Sequence, residues 1–308
     1  MSTKTIKDLS LSIFLILVIL FLGFYWFFPF STIEFLPQKT EKSANFSLSN
    51  NTKMQFYDNL RYRNKDISYR IEGCSLKKKD EMERAFQIIE NLTILNFYPV
   101  TSNEEIYITC ERQRRFESGN LFVAGEGGPI NITITDNFNV IYQGAITLIR
   151  ESKCPDPNVA LHELLHALGF DHSDNPNNIM YNISNCNQKI GEEIPKLINE
   201  LYSYPTLPDL SLEEAFASIS GRYLNVEFTI KNQGLADSNS TKVIIYADEK
   251  PIKETSIEGI KIGAGKIIKI NNIFVLQKNI EKIKISIDYH EKELFKENNE
   301  IILNIKTS

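Results

Sequence analysis

Hydrophobic and polar positions divide this chain into three zones. From Leu9 to Ile33 no charged residue occurs, and Ile13–Phe28 is almost uniformly apolar. From Asp66 the pattern breaks into short periodic runs. Asp66–Ile71 alternates as a strand does, and Lys79–Leu95 has helical spacing, with Met82, Ala85, Phe86, Ile89 and Leu92 on one side. Glu105–Thr109, Ile130–Thr135 and Val140–Ile149 read as further strands, and Ile194–Tyr202 as a closing helix. Pro205-Thr206-Leu207-Pro208 then punctuates the chain. Beyond it Tyr223–Ile230, Lys242–Tyr246, Lys266–Phe274 and Lys282–Tyr289 follow at the rhythm of a β-sandwich, with Lys231-Asn232-Gln233-Gly234 as a turn.

The apolar zone is long enough for a bilayer core of about 30 Å, which needs about 20 helical residues. Tyr25 and Trp26 suit the membrane–water interface, and Pro29 ends the helix. Lys4 and Lys7 precede it, which predicts a cytoplasmic N-terminus and an outward-facing remainder, a single-pass cell-membrane protein. No small-x-small cleavage site follows, so a signal anchor is the preferred reading; a cleaved leader would make the protein secreted. The expected plan is a cytoplasmic end at 1–10, a transmembrane helix at 11–30, and a Ser/Asn/Lys-rich stalk at 31–63. An α+β domain at 64–204 and an all-β domain at 205–308 complete it.

Chemistry concentrates in one place. His162, His166 and His172 are three of the chain's four histidines, and they lie within eleven residues. In a helix His162 and His166 sit about 40° apart on one face, so both rings can reach one ion. Glu163 lies beside them, near enough to touch a metal-bound water. Asp156 as N-cap with Pro157 at the first helical position predicts where the helix starts. Gly169 predicts where it stops, in a left-handed turn that returns His172 to the ion. Three imidazoles leave a fourth position open for water, the pattern of a catalytic zinc site.

The run His162-Glu163-Leu164-Leu165-His166-Ala167-Leu168-Gly169-Phe170-Asp171-His172 resembles the metzincin signature. Ser173 directly after the third histidine, and Met180 a short way on as the Met-turn residue, look most like the matrixin branch. That resemblance covers about residues 64–204. It implies a mixed twisted sheet with three helices, one catalytic Zn²⁺ and hydrolysis of protein or peptide substrates, with Glu163 as general base. It also implies a substrate strand added to an exposed sheet edge, with Ile130–Thr135 as the expected partner. Matrixins usually follow Met-Tyr with Pro, whereas Asn182 stands here, so the specificity pocket wall departs from the family. No histidine remains in this domain for a second zinc, and no cysteine precedes Cys74 to serve as a latency switch. Gly125-Glu126-Gly127-Gly128 reads as a flexible loop, a surface turn or, more weakly, a Ca²⁺ loop. The segment Pro208-Asp209-Leu210, the turn at Gly234 and Gly263-Ala264-Gly265 resemble a CARDB-type immunoglobulin-like domain, which implies a spacer or adhesion module with an unidentified surface partner.

Cys74, Cys110, Cys154 and Cys186 all fall in the α+β domain. An outside location predicts two disulfides among three connectivities, with Cys154–Cys186 flanking the zinc segment and Cys74–Cys110 between neighbouring strands as the expected pairing. The net charge of −5 argues against nucleic acid as a partner. Lys77-Lys78-Lys79 reads as solvated surface. A membrane-anchored zinc endopeptidase is thus the leading expectation. The alternative is a cell-surface adhesion protein with an inactive protease-like domain.

Overall fold

The computed structural model describes residues 3–27, 32–37, 54–111, 123–151, 153–276 and 279–306. The chain opens with helix α1 (Thr3–Phe27), whose side chains are described from residue 11 to residue 24. Among the described residues, no helix is long and apolar enough to cross a membrane.

Strand β1 (Thr32–Pro37) comes next and corrects the expected stalk. Instead of leading into solvent it pairs with strands from the far end of the chain. Residues 54–62 also leave the stalk, because β2 (Leu60–Tyr62) joins the α+β sheet and Gln55 bridges to Phe170. Both segments are held by partners far away in sequence. Residues 31 and 38–53 of the expected stalk lie outside the described residues.

The α+β unit continues with β3 (Asp66–Glu72), α2 (Leu76–Leu92), β4 (Asn96–Pro99), β5 (Ile106–Cys110), β6 (Gly125–Ile134), β7 (Asn139–Leu148), α3 (Asn158–Ala167) and α4 (Glu193–Ser203). The sheet order is β2-β7-β5-β3-β4, all parallel, with β6 antiparallel to β7 as the exception. Ser75 caps α2 through its side chain, and Met82, Ala85, Phe86 and Ile89 are buried at the spacing of one helical face. Met82, Phe86 and Ile89 each contribute about 1.5–3 kcal/mol by leaving water. They share one core with Leu161, Leu164 and Leu165 of α3 and Leu197, Ile198 and Leu201 of α4. Buried Arg61 donates to the carbonyls of Leu201 and Tyr204 at the C-terminal end of α4, with its guanidinium 4.3 Å from the Tyr202 ring centroid.

Two local expectations fail. Lys78 is buried, not solvated. Its ammonium donates to the carbonyls of Glu111 (2.7 Å), Leu148 (3.0 Å) and Ile149 (3.2 Å), and burial pushes its pKa down. Three carbonyls at strand ends accept its three protons, which offsets the desolvation cost. Gly125–Gly128 is not a flexible loop but the first half of β6.

The all-β unit comprises β8 (Leu210–Ser220), β9 (Tyr223–Asn232), β10 (Thr241–Ala247), β11 (Lys250–Ile257), β12 (Gly265–Phe274), β13 (Lys282–Asp288) and β14 (Glu300–Ile305). With β1 they are linked in the order β11-β10-β13-β14-β1-β8-β9-β12 around an aliphatic core. Alternation is regular in β10, β13 and β9, which reading by periodicity finds. β8, β11 and β14 were not among the expected strands. The two units meet at the β6–β7 hairpin, where Phe138 and Val140 pack with Leu235 and Ile262. The Gln233 side chain accepts from the Asp136 backbone N–H (3.0 Å) and donates to the Asp136 carboxylate (3.1 Å). The Asn137 amide donates to Asp209 (2.7 Å).

Candidate metal centre

Helix α3 begins at Asn158, one residue later than an Asp156 N-cap implies. Pro157 holds the N-cap position with φ −79° and ψ 54° and makes no side-chain capping bond. Asn158 is instead buried and donates its side-chain amide to Asn185 O at 2.8 Å. Every residue of α3 is buried, so both histidines emerge from a helix sunk between sheet and loop. Gly169 takes φ +97°, a left-handed value that glycine adopts without strain, and the chain reverses there.

The reversal brings the three rings together. His166 Nε2 lies 2.9 Å from His162 Nε2 and 3.2 Å from His172 Nε2, and the three ligand atoms fall within 4.8 Å of one another. His162 Nδ1 is 2.7 Å from the Ile179 carbonyl and His166 Nδ1 is 2.7 Å from the Phe170 carbonyl. A carbonyl only accepts, so both Nδ1 atoms carry the proton and both Nε2 atoms present bare lone pairs. Lone pairs facing one another at such distances repel unless a cation lies between them. Four-coordinate zinc with Zn–N of about 2.0–2.1 Å separates its nitrogens by about 3.3 Å, close to the spacing found. The residues therefore fit a zinc ion.

Burial, with His172 adding to it, lowers the His162 pKa. Burial, chiefly, and the neighbouring imidazoles push His166 down to about 4. Both shifts keep the rings neutral, the form a metal requires. Glu163 is buried beside them. Desolvation, reinforced by Glu126, raises its carboxyl to about 8. A cation in the histidine cluster would act in the opposite direction and favour the carboxylate.

Met180 is 1 % exposed. Its backbone N–H donates to the Asn178 side chain (2.9 Å) and its carbonyl accepts from Ser173 N–H (2.9 Å). The turn thereby fixes the Ile179 carbonyl that orients His162. Sequence reading did not find Phe56, which stacks on His166 with ring centroids 5.7 Å apart. Nor did it find the tie from Asp171 N–H to Met54 O at 2.9 Å. No local pattern at 54–56 signals either contact.

Strand β6 borders the site, and glycine permits its approach. A Cβ on Gly127 would stand 2.3 Å from the Glu163 carbonyl oxygen and 2.9 Å from its Cα. We expect Gly127→Ala to push β6 off α3 and lower peptide hydrolysis by about 10–100-fold, with zinc content unchanged. Kinetics alongside metal analysis would check this. Both expected disulfides form: Cys74–Cys110 with Cα atoms 4.9 Å apart and Cys154–Cys186 with Cα atoms 5.1 Å apart. The second closes the segment carrying all three histidines and the Met180 turn. Cys154→Ser with Cys186→Ser should cost about 2–4 kcal/mol, read as a lower Tm.

Residues 60–202 match the matrixin family, and residues 207–302 match the CARDB family. The chain carries a matrixin domain followed by a CARDB domain. The matrixin domain is the metallopeptidase-type unit and holds the histidine cluster. No curated protein matches the chain. Among solved structures, the chain is similar to a CARDB domain from Pyrococcus furiosus described in complex with di-metal ions, at 20 % identity and TM-score 0.26, over 33 % of this chain and 90 % of that one. It is also similar to a domain of a putative cell surface protein from Methanosarcina acetivorans, at 18 % identity and TM-score 0.23, over 27 % of this chain and 76 % of that one.

Proposed function

We propose that this protein is a zinc endopeptidase held at the outer face of a membrane. The observation that carries the catalytic part is the convergence of three imidazole Nε2 atoms beside a buried carboxyl group. A zinc ion bound there supplies Lewis acidity and lowers the pKa of a bound water towards about 7. His162, His166 and His172 hold it, with the Ile179 and Phe170 carbonyls fixing the first two rings. Glu163 takes the proton of the attacking water and passes it to the leaving amine. Phe56 stacks on the His166 ring and limits its motion.

The substrate class follows from the sheet edge. Among the described residues β6 pairs with β7 alone, so its other side offers backbone donors and acceptors to an extended peptide. Ile130 and Ile134, 62 % and 64 % exposed, lie along the part of it expected to take substrate. Membrane attachment through the charge-free part of α1 from Leu9 to Phe27 is supported by its apolar composition, by Lys4 and Lys7 before it, and by two disulfides that suit an oxidising compartment. Digestion of gelatin or a peptide library, with and without a zinc chelator, tests the reading. Cleavage that survives complete zinc removal would overturn it, and no cleavage in either condition would favour a surface adhesion role.

A further inference from the structure

Strand β1 lies outside the matched CARDB segment, yet it is built into that domain's sheet. β8 and β14 approach each other at one end, where Leu212 N–H donates to the nearby Asn298 carbonyl at 3.1 Å. Farther along they diverge, and β1 fills the fork. Thr32–Phe35 pair with Ser220–Ala217 of β8, and Phe35–Pro37 pair with Ile305–Leu303 of β14. Phe35 is fully buried in the sandwich core. Glu34 is clasped by Lys306, whose N–H reaches the Glu34 carbonyl at 2.8 Å and whose ammonium reaches its carboxylate at 2.8 Å. The Thr32 and Ser220 hydroxyls are 3.0 Å apart.

The matrixin domain is therefore inserted between one strand of the sandwich and the rest. We propose that the CARDB domain retains the N-terminal segment of this chain as a clipped-in strand, so that the enzyme stays on that segment after the chain between Pro37 and Met54 is cut. The fork between β8 and β14 is the binding surface, and Thr32-Ile33-Glu34-Phe35-Leu36-Pro37 is its occupant. Strand addition provides hydrogen bonds on both sides, and Phe35 provides an apolar anchor for the register. The peptide link then adds effective concentration but is not what holds the two parts together.

The covalent arrangement makes the test clean. Both disulfides join residues within 74–186, so after a cut between 38 and 53 no covalent bond connects the pieces. A recognition site for a sequence-specific protease is placed there in the full chain, purified in detergent with an N-terminal tag. After cleavage, confirmed on a denaturing gel, the larger piece is expected to stay with the tagged piece through affinity capture and to part from it in denaturant. Its free elution straight after cleavage would overturn the proposal. In the cut protein, Phe35→Ala should weaken retention by about 100-fold, the size expected for truncating a buried Phe. Phe35→Leu should largely restore it. Equal retention by wild type and by a chain scrambled over 32–37 would also overturn the proposal.

Discussion

Glu163→Gln is expected to lower peptide hydrolysis by about 10²–10⁴-fold while zinc content stays at the wild-type level. Gln keeps the shape of the carboxyl group but cannot accept the water's proton. The same substitution has a second signature in metal-free protein. Burial raises the Glu163 carboxyl to about 8 in the fold, against a usual 4.5. A group whose folded pKa is raised contributes stability below its unfolded pKa and loses it as pH rises through the folded value. Glu163 thus weakens the metal-free fold progressively between pH 4.5 and about 8. Metal-free Glu163→Gln should melt higher than metal-free wild type at pH 8, by on the order of a few kcal/mol, and equally at pH 4. Thermal melts at the two pH values, read beside turnover, check both effects. A variant that cleaves as fast as wild type would remove Glu163 from the mechanism.

The other large effect is loss of a ligand. His166→Ala removes the central ring of the cluster, the one whose Nε2 lies 2.9 Å and 3.2 Å from its two neighbours. Zinc affinity should fall by at least about 100-fold, since loss of a supporting contact alone costs about 10–100-fold. Hydrolysis should fall with it. His166→Ala also leaves the Phe170 carbonyl without its imidazole partner and exposes one face of Phe56 to the gap. Metal analysis after dialysis and a titration with a zinc indicator measure the first effect. His290→Ala serves as control, because that exposed ring lies in the sandwich domain, near Asp288.

How much of this could be read in advance depended on distance along the chain. His162, Glu163, His166 and Gly169 were legible because helical spacing and a glycine stop are local rules. His172 followed from the turn that Gly169 allows. Cys154–Cys186 was expected from its place on either side of the histidine segment and Cys74–Cys110 from neighbouring strands, and the structure forms both. The helix start was misread, since Pro157 takes a non-helical ψ of 54° and Asn158 is held by a carbonyl 27 residues away. Lys78 was misread because a lysine in a charged run resembles surface until three strand-end carbonyls are seen to surround it. Gly125–Gly128 was misread because glycine permits both a loop and a close backbone approach, and only the position of Glu163 selects the second.

The amino-acid order alone set the spacing of the three histidines that cluster, the helix faces that enter the core, the alternating strands of the sandwich and the punctuation at residues 205–208. Each of these is a short-range property of helical or strand geometry, and it is present before the chain folds. Only the tertiary structure decided that Phe56 backs His166, that Gln233 and Asp209 clasp the β6–β7 hairpin, and that Phe35 is buried among strands more than 180 residues away. These are pairings between distant segments. Many alternative partners have the same polarity and periodicity, and the choice among them rests on which surfaces remain open once the two domains have packed.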